Sequence, residues 1–217
     1  MNYSDSKFVI FDFDGTIADT LEIIAEIYND LAPKYNCKIL HYDEKEKFRK
    51  MKPLELFKEC GISQFLIPIF TVHIRTELFK RINQIKPIAG IDFVLKTLKN
   101  NGIRLGLMSS NTRKNINTFL KNNSFESYFD FVHTGKNIFG KDLVVSHLIR
   151  KYSLNKSNLI YVGDEVRDIE AMKKIKVPVF AVSWGFNSHE ILTEFNPDFF
   201  ANDTVSLAKG ILDFFKV

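Results

Sequence analysis

The feature that most limits how this chain can fold is a strand pattern that recurs with the same kind of ending. Phe8-Val9-Ile10-Phe11 is a continuous apolar run rich in β-formers, as expected of a strand buried on both faces in a parallel sheet. It stops abruptly at Asp12-Phe13-Asp14-Gly15-Thr16. Ile103 to Met108 runs in the same way into Ser109-Ser110-Asn111, Leu159 to Val162 into Gly163-Asp164, and Val177 to Val182 into Ser183-Trp184-Gly185. Phe131-Val132 and Asp198 to Ala201 are shorter candidates. Helical patterns lie between them: Phe93 to Asn100 with Asn101-Gly102 as its C-cap, Thr112 to Leu120, Leu143 to Tyr152, Asp168 to Lys174 and Val205 to Phe215. Strands alternating with helices predict an α/β fold, a doubly wound parallel sheet. Ligands of such sheets sit outside the carboxyl ends of the strands, where these polar clusters fall.

One stretch breaks the alternation. From Ile17 to Lys86 the sequence offers helical periodicity and no convincing strand. Asp19-Thr20-Leu21-Glu22 fits a capping box opening a helix to Leu31, and further helices are expected over Tyr42 to Lys50, Pro53 to Cys60 and Ile67 to Ile82. Gly61 and Pro87-Ile88-Ala89-Gly90 read as breaks. The expected organisation is therefore an α/β core from residues 1–16 and 87–217, with residues 17–86 inserted as an α-helical cap domain hinged near Ile17 and Lys86.

A chain of 217 residues with 45% hydrophobic and 26% charged residues can bury a full core and is not a disordered chain. Thirty Lys and Arg against 26 Asp and Glu leave a net charge of +4, which raises the question of nucleic acid. The longest basic cluster is only Lys173-Lys174-Ile175-Lys176, and a solvated lysine-rich surface explains the rest, so no nucleic-acid partner is expected. Cys37 and Cys60 lie in no metal-binding or disulfide pattern. Met1 to Lys7 lacks the apolar stretch of a signal peptide, and no apolar run is long enough to span a bilayer. A cytoplasmic protein with no membrane partner, monomer or homodimer, is the expectation.

The strand ends carry the chemistry. Asp12 and Asp14, one residue apart, can face one pocket, where they would repel unless a cation lies between them or one is protonated. Oxygen ligands suit a hard divalent ion such as Mg²⁺. Asp164 directly follows a buried strand and could join Asp12 as a metal ligand. Asp168, one helical turn later on the same face, either orients its neighbours or caps the helix that it opens, whereas Glu165 reads as a solvated neighbour. Ser109, with Ser110, Asn111 and Thr112 behind it, offers hydroxyls and backbone amides to a phosphate oxygen, although a strand-ending serine also caps helices. A phosphate also wants a fixed positive charge. Lys141 and Lys136 are the candidates, and Lys141 is preferred because it opens a helix.

Taken together these sites resemble the haloacid dehalogenase (HAD) superfamily of phosphohydrolases, over nearly the whole chain. Asp12-Phe13-Asp14-Gly15-Thr16 carries the resemblance, with Gly163-Asp164-x-x-x-Asp168 at the late position and the helical insert in the place of the family's small cap. Ala181-Val182-Ser183-Trp184-Gly185-Phe186 and Asn196-Pro197-Asp198 are similar to the phosphoglycolate phosphatase group. The resemblance implies a Rossmann-like HAD core and a Mg²⁺-dependent phosphatase acting on a small phosphorylated metabolite, phosphoglycolate or a similar phosphomonoester. It further implies Asp12 as nucleophile, Asp14 as general acid and base, and Mg²⁺ held by Asp12, the carbonyl of Asp14 and Asp164. Ser109, Ser110, Asn111 and Lys141 would bind phosphate, with Thr16 and Asp168 supporting the set. One departure is that Lys141 is followed by Asp142 where many relatives have proline. A phosphosugar mutase of β-phosphoglucomutase type would use the same aspartyl-phosphate. In the insert, Lys52, His73 and Arg75 are candidate substrate contacts, each expected more often at a solvated surface.

Overall fold

The computed structural model describes residues 3–135 and 140–217. In chain order the elements are β1 (Phe8–Phe11), β2 (Ala18–Asp19), α1 (Leu21–Leu31), α2 (Lys45–Arg49), α3 (Pro53–Glu59), α4 (Ile67–Lys80) and β3 (Lys86–Pro87). Then follow α5 (Ile91–Asn100), β4 (Arg104–Ser109), α6 (Arg113–Asn122), β5 (Phe131–Thr134), α7 (Lys141–Tyr152), β6 (Leu159–Gly163) and α8 (Val166–Ile175). The chain closes with β7 (Val179–Val182), α9 (His189–Glu194), β8 (Phe199–Ala201) and α10 (Thr204–Phe215).

All six apolar runs are strands of one parallel sheet, in the order β5-β4-β1-β6-β7-β8. The first strand lies inside, flanked by β4 and β6, so the strand order reverses beside β1. That reversal opens a crevice at the carboxyl ends. Register places the ends side by side: Phe11 is opposite both Leu107 of β4 and Val162 of β6. The first residue beyond β1 still follows this pairing, since Asp12 N–H donates to Val162 O at 2.8 Å.

Side chains of β1 alternate between two cores. Val9 and Phe11 face the cluster containing Val94, Leu95 and Leu98 of α5, Ile116 and Phe119 of α6, and Leu207 and Ile211 of α10. Phe8 and Ile10 face Val145 and Leu148 of α7 and Ile169 and Met172 of α8. Each fully buried side chain of this size is worth roughly 1.5–3 kcal/mol, so the two faces together fix the register of β1 and with it the position of Asp12.

Residues between β2 and β3 form helices α1–α4 and short 3₁₀ turns. The strand-free reading of this stretch misses its ends, where β2 and β3 pair antiparallel with Ala18 opposite Pro87 and Asp19 opposite Lys86. The expected capping box is also absent. Helix α1 begins at Leu21 behind Thr20, whose side chain makes no capping bond, while Asp19 belongs to the ribbon and Glu22 pairs with Lys45. Tyr42 to Lys50 is a 3₁₀ turn followed by the short α2. Helix α9 has no counterpart in the sequence reading, being too short to show a period.

Candidate active site

The turn after β1 presents two carboxylates to the crevice. Asp12 is 3% exposed, and its Oδ1 accepts from Phe13 N–H at 2.8 Å. Its Oδ2 accepts from Lys141 Nζ at 2.5 Å, and the same ammonium also donates to Asp168 Oδ1. Lys141 is the first residue of α7, behind Gly140 as N-cap. Burial works against its charge, but Asp12 and Asp168 outweigh burial and hold its pKa above the ordinary lysine value. Burial pushes Asp12 up to about 7 even though Lys141 opposes the shift. Lys136, the alternative lysine, lies outside the described residues.

Asp14 is only partly buried, and its carboxylate is held from β4. Asn111 Nδ2 donates to its two oxygens at 3.1 and 3.2 Å, and Ser109 Oγ lies 3.4 Å from Oδ2. Desolvation raises the Asp14 pKa to about 6 against the pull of Asn111. Ser109 Oγ accepts from Asn111 N–H at 2.9 Å, and the helix cap is Thr112, whose hydroxyl accepts from Asn115 N–H at 3.1 Å. Ser110 is half-buried between them.

Asp164 is fully buried beside these groups. Thr16 Oγ1 donates to its Oδ1 and Phe186 N–H to its Oδ2, both at 2.7 Å. Burial, then the charges of Glu165 and Asp12, push its pKa well above the carboxylate range. Two buried carboxylates, with the charge of Asp12 raising the pKa of Asp164 and oxygen acceptor sites to spare, are a donor set suited to a hard divalent cation.

Asp168 takes both roles left open for it. Its Oδ1 meets Lys141 and Tyr161 OH, while its Oδ2 accepts from the N–H of Glu165, the N-cap of α8, at 3.1 Å as the N3 member of a capping box. Carboxylate oxygens of Asp12, Glu165 and Asp168 also lie within 4.8 Å of one another. That cluster already has cations, since Lys141 bridges Asp12 and Asp168, and Arg167 Nε donates to Glu165 Oε1 at 2.9 Å. Glu165 is 8% exposed, so the expectation of a solvated neighbour fails: the capping turn folds its side chain inward against Arg167.

The insert contributes one side chain that the sequence reading placed at the surface. Arg75 on α4 is buried, with its pKa lowered by desolvation while the nearby Asp14 charge opposes that shift. Its carbonyl accepts from Asn115 Nδ2 at 3.0 Å, and Asn115 also donates to Asn111 Oδ1 at 2.8 Å. A chain of hydrogen bonds thus runs from α4 to Asp14. The i, i+4 spacing of Asn111 and Asn115 was the available signal. Lys52 pairs with Glu170 at 2.6 Å, and His73 bonds Tyr35 within the insert.

The family model for haloacid dehalogenase-like hydrolases matches residues 9–182. The chain is 28% identical to a phosphoglycolate phosphatase of Synechococcus elongatus over 94% of this chain and 96% of the relative. It is 22% identical to the pyrophosphatase PpaX of Oceanobacillus iheyensis over 95% and 97% of the two chains. A crystal structure of a predicted phosphatase from Clostridium acetobutylicum superposes with a TM-score of 0.82 at 22% identity, covering 98% of this chain and all of the other. With the sheet order, the acidic strand ends and a family match over most of its length, this chain belongs to the haloacid dehalogenase-like hydrolases.

Proposed function

We propose that this hydrolase is a Mg²⁺-dependent phosphatase that releases phosphate from a small phosphomonoester, phosphoglycolate or a similar metabolite, through an aspartyl-phosphate on Asp12. The observation that carries the reading is the placement of Asp12 and Asp14 on one turn at the end of β1, with the Lys141 ammonium 2.5 Å from Asp12. The Synechococcus relative's named activity supports the substrate class. Residues 17–86 serve in this reading as a cap that closes over the site and selects the leaving group.

A carboxylate oxygen of Asp12 attacks phosphorus in line, and the P–O bond to the leaving group breaks. Asp14, poised by its pKa of about 6, gives its proton to the departing alkoxide. Its carboxylate then takes a proton from water as that water attacks phosphorus and the bond to Asp12 breaks, returning free phosphate and both carboxyl groups. Lys141 and the Ser109, Ser110 and Asn111 turn face the phosphoryl oxygens. Lys141 also keeps Asp12 ionised enough to attack. Asp12, the carbonyl of Asp14 and Asp164 would hold Mg²⁺, which when bound supplies positive charge to the phosphoryl oxygens. Thr16 fixes the Asp164 carboxylate and Asp168 fixes Lys141.

The test is phosphate release from a panel of phosphoglycolate, sugar phosphates, pyrophosphate and nucleotides, with and without Mg²⁺, alongside Asp12→Asn. Metal-dependent release that vanishes in the variant is expected. Isomerised sugar phosphate without release of free phosphate would replace this reading with a mutase, and silence across the panel would remove it.

A further inference from the structure

The helical insert meets the core through several polar contacts, and Arg49 at the end of α2 makes a cluster of them. Its Nη2 donates to Ser183 O at 2.9 Å and to Gly185 O at 3.1 Å, while Nη1 bonds Glu46 at 3.1 Å. The Arg49 carbonyl accepts from Ser188 N–H at 2.9 Å and from Asn187 Nδ2 at 3.0 Å. Asn187 Nδ2 also reaches Met51 O at 2.9 Å. The turn after α2 and the loop after β7 are therefore joined in both directions.

The opposite side of that loop holds Asp164. Phe186 N–H donates to Asp164 Oδ2, and Asn187 N–H donates to the Asp164 carbonyl at 3.2 Å. Gly185 lies so close that any Cβ there would be driven into the Asp164 side chain. Trp184 Nε1 donates to Thr16 O at 3.3 Å, and Thr16 Oγ1 is the donor to Asp164 Oδ1. Both oxygens of Asp164 are thus held by groups in, or bonded to, the loop that Arg49 grips from the insert.

We infer that Arg49 is a positioning residue that couples docking of the insert to the metal-holding geometry of Asp164. This rests on the reading that Asp164 holds the metal. When the insert is docked, the guanidinium pins two carbonyls of the loop, which keeps the Phe186 amide on Asp164. When the insert leaves, those bonds and the ones from Asn187 and Ser188 are lost together, and the loop is free to relax away from the carboxylate. Metal affinity is then higher in the docked state, and by reciprocity the metal favours docking. Lys52, whose ammonium pairs with Glu170 and lies over the Phe195 ring, joins the insert to the core through groups other than that loop and makes a charge-matched comparison.

The experiment is calorimetric titration of Mg²⁺ into the full chain without substrate, for wild type, Arg49→Met, Arg49→Lys, Lys52→Met and Asp164→Asn. Fluorescence of Trp184, the single tryptophan, reports the loop itself. Outer groups that orient metal ligands are worth about 10–100-fold in affinity, so Arg49→Met is expected to weaken Mg²⁺ binding about 5–10-fold and Lys52→Met less than about twofold. Arg49→Met should also shift the Trp184 emission before any metal is added. Arg49→Lys keeps the charge and can still reach one carbonyl, so it should fall between wild type and Arg49→Met, and it supplies the measurement if Arg49→Met does not fold. Equal affinities for wild type and both Arg49 variants, or equal losses in Arg49→Met and Lys52→Met, would overturn the coupling. Wild type that binds no Mg²⁺, or Asp164→Asn that binds as wild type does, would instead remove the metal reading and the inference with it.

Discussion

Asp12 and Asp14 stand two residues apart and differ in what surrounds them. Asp12 is enclosed with Lys141 and Asp168, and burial lifts its pKa to about 7. The unfolded value is near 3.9. Between those two values the folded chain holds a proton that the unfolded chain has released, so stability falls as pH rises from about 4 to about 7. Thermal melts of the metal-free protein should therefore decline more steeply with pH for wild type than for Asp12→Asn, whose amide cannot ionise. Added Mg²⁺ at pH 8 should raise the melting temperature of wild type more than that of the variant, which keeps Asp164 and the Asp14 carbonyl but has lost the Asp12 charge. Parallel melting curves for the two chains would show that Asp12 does not carry this strain. Asp14, held by Asn111 and titrating near 6, has the complementary task of moving a proton. Asp14→Asn should lower kcat by roughly 10²–10⁴ on alkyl phosphates, the usual range for a lost acid–base group. The loss should shrink on aryl phosphates whose leaving group needs no proton. A uniform loss across leaving groups would assign Asp14 to binding instead.

The candidate site residues of the main sheet lie at or just beyond the carboxyl ends of β1, β4 and β6, and local sequence made most of that visible. Six apolar runs gave six strands because buried parallel strands need no partner sequence to be recognised. The acidic and hydroxyl-bearing ends could be read as a site because β1, β4 and β6 are neighbours. What escaped the sequence depends on distant pairing. Strands β2 and β3 have two residues each, too few to alternate, and Asp19 meets Lys86 only once the insert between them has folded. Arg75 looked like a surface residue because the buried faces of α4 are set by contact with α1 and α6, not by its own periodicity. Arg49 bonds backbone carbonyls 134 and 136 positions away, which leaves no mark on either sequence. Gly106 shows a third case. It interrupts β4 opposite Phe131, where a Cβ would collide with the ring, and Phe131 is fixed in turn by stacking on Phe8 and Tyr152. Gly106→Ala should destabilise the chain by about 1–3 kcal/mol through overpacking, with kcat/KM unchanged in the folded fraction. Adding Phe131→Leu should recover part of that loss in chemical denaturation. A double variant whose losses simply add would place the cost in the backbone of β4 rather than in the ring.

At the scale of the molecule, the insert has both a core of its own and a share of the larger one. Tyr28, Ala32, Cys60, Ile62, Ile67 and Phe70 form a separate cluster within it. Ile27, Leu78, Ile82 and Ile85 instead belong to the cluster that contains Phe13, Ile116 and Phe119 beneath the site. The chain enters and leaves this region through the β2–β3 ribbon, so residues 19 and 86 are neighbours across a strand pair. Replacing residues 20–85 with a two-residue Asn-Gly turn closes that ribbon in the geometry hairpins favour. We expect the shortened chain to keep the far-ultraviolet signature of the six-stranded sheet. It should melt at a lower temperature than the full chain, because the apolar surface that met Ile27, Leu78, Ile82 and Ile85 is uncovered at a cost of about 25 cal/mol per Å². Asp12, Lys141 and Asp168 lie wholly outside the excised residues, so an aspartyl-phosphate should still form with a small activated donor such as acetyl phosphate. Preference among natural phosphomonoesters should be lost together with the contacts of α4. A shortened chain that fails to fold would make the insert an integral part of one domain rather than a cap. One that folds and keeps the wild-type order of substrates would move selection from the insert to the strand ends.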